Sequence, residues 1–395
     1  MLPLAGLRII AVEQYGAGPY GTMQLADLGA EVIKIENPSD GGDMARRVGP
    51  FFLGDNDSQF FQSFNRNKRS LTLDLKKPAA REVLHALVRR ADGILDNLRG
   101  DLPERLGLTY AALKEANPRI VCAHLSAYGR TGSRASWPGY DYLMQAEAGY
   151  LSVTGEPDGP PVRMGLSVVD YMTGLFAGLG LLSGIIAART TGEGRDIDVN
   201  LFDCALQNLS YLATWYLNEG HEQGREPRSS HPSLTPSQLY RTKDGYIFLM
   251  CNKEKFWPAL CDAIDRPGWV NDASFRSFTE RLANRGRLTE MMDQVLSERT
   301  TLEWLERFAG RVPAAPVNGL GAALESPFVR EREILWAVPH PERPDFRMIG
   351  GPFSCAHEEQ PKNPAPMLGQ DTNAVLSACG FSAERISALR SDGVI

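Results

Sequence analysis

The sequence predicts an α/β protein: a large Rossmann-like domain with a parallel sheet, plus a smaller α+β domain. Short apolar runs alternate with helical patterns through the first half of the chain, as parallel strands covered on both faces require. A polar, proline-bearing stretch, "NEGHEQGREPRSSHPSLTPS", then interrupts the alternation near residue 220, and a hairpin pattern follows it. At 395 residues the chain can bury two cores. A domain boundary is expected near residue 220, with a smaller α+β unit after it.

The elements follow in order. "LRIIAVEQ" is a strand; a helix with Pro19 in its first turn runs through "YGTMQLADL" and stops at Gly29. "AEVIKIE" is the second strand and "RSLTLDL" the third. A helix spans about Lys77 to Arg90, followed by strand "DGILDNL", a helix after Leu102-Pro103, and strand "RIVCAHLS". After the loop "YGRTGSRASWPGYD" come a long apolar helix carrying Asp170 and a strand leading into a helix, "DIDVNLFDCALQNLSYLATWYL". Beyond the linker, "SQLYRTKDGYIFLMC" predicts a hairpin turning at Asp244-Gly245, and the tail is helical in "PAPMLGQDTNAVLSACG".

Composition narrows the function. A net charge of -6 spread over mixed charges argues against a nucleic-acid surface. Six scattered cysteines without a C-x-x-C pair argue against a zinc cluster or disulfide framework and fit a reducing cytoplasm. "MLPLAGLRII" lacks the basic region of a signal peptide. The run Leu166–Ala188 is long enough for a membrane span, but with Asp170 near its start it reads better as a helix buried in a core or subunit interface, its glycines permitting close packing.

Four features could carry chemistry. "EQYGAGPYG" has G-x-G-x-x-G spacing at Gly16, Gly18 and Gly21 after a strand, with Glu36 about 20 residues on, the pattern of an NAD-dependent oxidoreductase. An ordinary tight strand-to-helix turn accounts for the same glycines. Lys68 and Arg69 in "NRNKRS" suit a phosphate or are solvated surface charge. Asn97, Arg99 and Arg105 in "DNLRGDLPERLG" follow a strand, at the edge where open sheets place ligands. Asp170 opens the apolar helix, where the helix dipole would keep it ionised; it either caps the helix or acts as a nucleophile toward an activated acyl group. There is no G-x-S-x-G elbow or H-E-x-x-H motif, and His85, His124, His221, His231, His340 and His357 are scattered, each read as structural or surface.

The ordered set "LAGLRIIAVEQYGAGPYGTMQLADLGAEVIKIENP", "NRNKRSLTLDLK", "ADGILDNLRG", "RLGLTY", "NPRIVCAHLSAYGRTG", "PGYDYLMQAEAGYLSVTG", "VVDYMTG" and "MLGQDTNAVL" resembles the class III CoA-transferases, the formyl-CoA and carnitine CoA-transferase (CaiB/BaiF-like) family, along essentially the whole chain. The resemblance implies a large Rossmann-like domain built from both chain ends, 1–220 as its first part and 331–395 as its return, a smaller central domain with its linkers at 221–330, an interlocked homodimer, and an acyl-CoA:carboxylate CoA-transferase with Asp170 as nucleophile. CoA and its thioesters are then substrates, with no metal and no tightly bound cofactor. It implies a CoA site at Gly16, Ala17, Asn37, Leu73, Lys76, Asn97, Leu98, Arg99 and Arg105. The region "SSHPSLTPSQLYRTKDG" lacks the long glycine-rich loop of the formyl-CoA branch and is more similar to the succinyl-CoA:dicarboxylate branch, with His231 and Arg241 as groups for a second carboxylate. The related α-methylacyl-CoA racemases carry a histidine before the aspartate of "PGYD"; Tyr140 stands there here, which removes the base for racemisation but leaves Tyr140 as a substrate contact.

Overall fold

Continuous apolar runs in the first half form one parallel sheet. In the computed structural model, which describes residues 1–355 and 358–395, its strands are β1 (Arg8–Val12), β2 (Glu31–Glu36), β3 (Arg69–Thr72), β4 (Gly93–Asp96), β5 (Val121–Ser126) and β6 (Arg195–Asn200). They pair in the order β3-β2-β1-β4-β5-β6. Every pairing is parallel, and Ile9, Ile10, Val32, Ile94, Val121 and Cys122 are fully buried, as two-sided cover demands. The order reverses between β1 and β4, and at such a switch point the carboxyl ends of the strands part to leave a crevice.

Helices α1 (Ala17–Asp27), α2 (Gln59–Asn65), α3 (Ala80–Val88), α4 (Leu102–Leu106), α5 (Tyr110–Leu113) and α6 (Asp141–Glu147) follow in order. The short α7 (Tyr150–Val153) precedes the long α8 (Val168–Thr191), which packs against α1 and across β4, β5 and β6. Small residues set that contact. A Cβ on Gly21 would stand 2.3 Å from the Gly174 carbonyl oxygen, and one on Gly174 would stand 2.3 Å from that of Ala17. By length and composition α8 could cross a bilayer, yet its Ala177, Leu181, Gly184 and Ile185 face inward on the sheet.

The chain divides into two compact units. The first comprises Met1–Ala148, Gly165–Ser210 and Arg332–Ile395 and holds the sheet. Its last segment adds the hairpin β10 (Leu335–Ala337) and β11 (Arg347–Ile349), in a stretch to which the sequence reading assigns no element, and the helix Thr372–Ala378 within the tail stretch read as helical. The second comprises Gly149–Met164 and Tyr211–Glu331, so residues 149–164 and 211–220, both included in the expected span 1–220, pack with it. There β7 (Ser237–Arg241) and β8 (Tyr246–Met250) form the expected hairpin, Arg241 opposite Tyr246, and β9 (Ala314–Pro316) joins as a third strand over a core containing Trp257, Phe275 and Trp304.

Candidate active site

The loop after β1 and the start of α8 are pressed together, and each glycine of the G-x-G-x-x-G spacing has its own neighbour. A Cβ on Gly16 would stand 2.8 Å from Asp170 Oδ2, and one on Gly18 would stand 2.9 Å from Asn97 Cβ. Gly21 meets the backbone of α8, as described above. Asn97 holds the loop as well: its Oδ1 accepts from Gln14 N at 2.9 Å and its Nδ2 donates to Gln14 O at 2.7 Å. The glycines therefore serve close approach, but to a carboxylate, an amide and a helix rather than to a dinucleotide.

Asp170 is only 7% exposed. Its backbone N–H donates to Asp141 Oδ2 at 3.0 Å, so Asp141 satisfies an amide of the first turn of α8 that the N-cap Ser167 leaves uncapped. Gln145 Nε2 donates to Asp141 Oδ1 at 2.6 Å and to Leu166 O at 3.1 Å, fixing Asp141 in that role. No described residue donates to the Asp170 carboxylate. Burial and, secondarily, the Asp141 charge push its pKa up to about 7. This corrects the expectation that the helix dipole keeps Asp170 fully ionised: loss of water and a neighbouring carboxylate outweigh it, leaving an aspartate that titrates near neutrality.

Asp170 borders two clefts. One, of about 290 Å³, opens at the β1/β4 switch point and is lined by Gly16, Ala17, Asn97, Leu98, Arg99 and Tyr140 among others. The other, of about 370 Å³, lies on the far side and is lined mainly by aromatic rings. Tyr15, Gly16, Met44, Tyr140 and Asp170 belong to both. A third cleft, of about 350 Å³, gathers Asn37, Leu73, Lys76 and Leu98 and shares Gln14, Met44, Leu98 and Leu102 with the first. The clefts thus succeed one another along the carboxyl ends of the strands, from Lys76 to Asp170 and beyond.

Of the residues anticipated for a CoA site, only Arg105 lines none of these three clefts; its side chain is exposed and reaches Asp101 at 3.4 Å, as Arg99 does at 3.2 Å. Asn37 lines the third cleft while also capping Pro38–Asp40 through an acceptance from Ser39 N at 3.1 Å. His231 and Arg241 lie in the second unit. His231 Nδ1 accepts from Ser233 N and Leu234 N, its ring stacks on Tyr211, and the Arg241 N–H donates to Asp293 at 2.9 Å.

The phosphate reading of "NRNKRS" is corrected. Lys68 is buried and donates to Glu13 at 2.7 Å, to Pro19 O at 2.9 Å and to Asn65 at 3.0 Å, while Arg69 pairs with Glu31 and Asp371. Burial lowers the Lys68 ammonium to about 8 against the opposing pull of Glu13. These cations are spent inside the protein. Glu36 is likewise occupied: Arg46 reaches it at 2.7 and 2.8 Å and Ser70 Oγ donates at 2.6 Å. Burial opposes its ionisation, but Arg46 brings it down to about 2, and no oxygen is left for a ribose hydroxyl. The structural reading of the histidines is met at His124, held between Asp96 and Asp196, and at His340, paired with Asp57; His357 lies outside the described residues. Among the described residues no cluster of His, Cys, Asp or Glu is arranged to hold a metal ion.

Sequence reasoning missed Asp141 as a partner of Asp170. Its only local signal is its place at the start of a helix after the Gly-Pro-rich loop; the pairing joins residues 29 apart through the fold.

A doubly wound α/β sheet with successive clefts at its switch point, and a buried carboxylate between two of them, defines a protein that receives an elongated small molecule across its strand ends. The chain belongs to CoA-transferase family III, whose family model matches residues 4–372. It is 32% identical to the human succinyl-CoA:glutarate CoA-transferase, covering 100% of this chain and 90% of that one. It is 34% identical to the succinyl-CoA:mesaconate CoA-transferase of Haloarcula marismortui, covering 95% and 96%. A CaiB/BaiF family protein from Brucella suis superposes with a TM-score of 0.82 at 29% identity, covering 96% of this chain and 99% of that one.

Proposed function

We propose that the protein moves CoA from an acyl-CoA to a carboxylic acid by double displacement on Asp170. The observation that carries this is the position of the Asp170 carboxylate on the border of two clefts, one approached along Asn97, Leu98 and Arg99 and the other apolar. The pantetheine arm enters by the first and the acyl body occupies the second, which brings the thioester carbonyl to Asp170.

The Asp170 carboxylate attacks that carbonyl, the C–S bond breaks, and CoA leaves as thiolate from a mixed aspartyl anhydride. The thiolate attacks the aspartyl carbonyl and expels the donor acid, giving an aspartyl-CoA thioester. The acceptor carboxylate attacks this thioester, and the released thiolate takes the acceptor acyl group and frees Asp170. Thioester energy is conserved throughout, so neither ATP nor a redox step enters. Water must be kept from both intermediates, and the burial of Asp170 against Gly16 serves that end.

Asn37, Leu73 and Lys76 take the distal part of CoA and Gly16, Ala17, Asn97, Leu98 and Arg99 the proximal part; Arg105 adds surface charge at the approach. The large CoA-binding domain is the first unit, Met1–Ala148, Gly165–Ser210 and Arg332–Ile395, and so draws on both chain ends. An interlocked homodimer is supported by Leu175, Leu179 and Ile186, apolar residues of α8 left exposed. Six free cysteines suit a reducing cytoplasm.

The test is CoA exchange between acyl-CoA donors, succinyl-CoA among them because relatives are named for it, and a panel of acids, with NAD(H) absorbance at 340 nm as a parallel assay. Exchange without redox turnover is expected; redox turnover without exchange would refute the proposal.

A further inference from the structure

We infer that the acids exchanged at Asp170 are monocarboxylates with an apolar body of aromatic size, rather than dicarboxylates. The inference rests on the CoA-transferase reading and narrows its substrate class. It departs from the glutarate and mesaconate in the relatives' names.

The cleft beyond Asp170 is walled by Tyr15, Phe60, Phe64, Tyr140, Tyr142 and Tyr171. The rings form a connected wall: Tyr15 to Phe60 at 5.1 Å between centroids, Phe60 to Phe64 at 5.0 Å, and Phe64 to Tyr171 at 6.2 Å. Its volume of about 370 Å³ exceeds the roughly 150 Å³ of an apolar cavity that accepts benzene, leaving room for a phenyl ring with a short linker. A substrate ring would find edge and face partners there.

Charge decides against a second carboxylate. Among the described residues lining this cleft there is no lysine, arginine or histidine, whereas Asp141 and Asp170 both line it. Asp141 already raises the Asp170 pKa, and burial together with Asp170 raises those of Tyr15 and Tyr171, which stay neutral phenols. The reacting carboxylate of any acid is consumed by bond formation. A distal one would be a further anion among aromatic rings and beside two aspartates. Because donor acid leaves from, and acceptor acid enters, the same cleft, one selectivity governs both halves of R–CO–S–CoA + R′–COO⁻ ⇌ R–COO⁻ + R′–CO–S–CoA.

The test measures kcat/KM for the purified full chain with phenylacetyl-CoA and succinyl-CoA as donors, each against 3-phenylpropionate, benzoate, glutarate and mesaconate. The phenylacetyl-CoA and 3-phenylpropionate pair is expected to exceed the succinyl-CoA and glutarate pair by about tenfold or more. Tyr142→Arg, at a half-exposed position of the wall, is expected to move the ratio toward glutarate; being a ratio within one preparation, it is insensitive to the folded fraction. Preference of the unmodified protein for glutarate or mesaconate, or an unchanged ratio in Tyr142→Arg, would overturn the inference and leave the CoA-transferase reading standing. Absence of exchange with every pair would instead bring down that reading, and the inference with it.

Discussion

The Asp170 carboxylate lies so close to the Cα of Gly16 that a methyl group there would stand 2.8 Å from Oδ2. Gly16→Ala must therefore displace the carboxylate or the loop. Since a 1 Å misplacement at a reacting centre costs about 100-fold in rate, Gly16→Ala is expected to lower kcat by that order with little change in melting temperature. Steady-state exchange kinetics beside a thermal melt check both halves.

Gly21→Ala should behave in the opposite way. Its methyl would meet the Gly174 carbonyl oxygen at 2.3 Å, backbone against backbone between α1 and α8, where nothing flexible can yield. A loss of about 1–3 kcal/mol in denaturant unfolding is expected.

The proposed displacement requires Asp170 as the carboxylate, and its pKa stands at about 7. Exchange should fall about tenfold per pH unit below that value, and Asp141→Asn, by removing the neighbouring charge, should shift the profile to lower pH. Stability follows from the same shift. The folded value lies above the unfolded value near 3.8, so holding Asp170 as an anion progressively destabilises the fold between about pH 4 and 7. Asp170→Asn should accordingly melt above the unmodified protein at pH 8, and the gap should close toward pH 4.

Lys68 and Arg99 contrast a buried, paired cation with one that lines a cleft. Lys68→Met removes the 2.7 Å ion pair of buried Glu13, leaving it Thr22 and, at 3.8 Å, Lys34, and is expected to destabilise the fold by about 3 kcal/mol without raising the KM for acyl-CoA. Arg99→Ala, beside the first cleft, should raise that KM with little effect on melting. A raised KM in Lys68→Met would restore the phosphate role that its burial argues against.

The four inner strands, β1, β2, β4 and β5, were legible because two-sided burial writes itself as continuous apolar sequence, and the β7–β8 hairpin because Asp244-Gly245 names its turn. Burial of polar side chains was not. Lys68 and Arg69 look like a phosphate clamp in one dimension and turn out to be consumed by Glu13, Glu31 and Asp371, two of them distant in sequence and one at the far end of the chain. The glycine spacing with Glu36 satisfied a dinucleotide pattern in full, yet Glu36 is taken by Arg46 and each glycine answers to a different packing neighbour. The aromatic wall was invisible for a similar reason: its six rings come from four separate segments, each carrying only one or two. Asp170 stood out as a carboxylate entering an apolar helix, but its environment depends on Asp141, which only the fold brings to it.

The covalent role proposed for Asp170 is open to direct measurement. The protein is incubated with an acyl-CoA donor that supports exchange, quenched with hydroxylamine, digested and read by peptide mass. A hydroxamate is expected on the peptide containing Asp170, dependent on the donor and absent in Asp170→Asn, whose exchange should fall about 10⁴-fold or more. Undiminished exchange in that variant, or turnover with the Asp170 peptide never modified, would contradict that role.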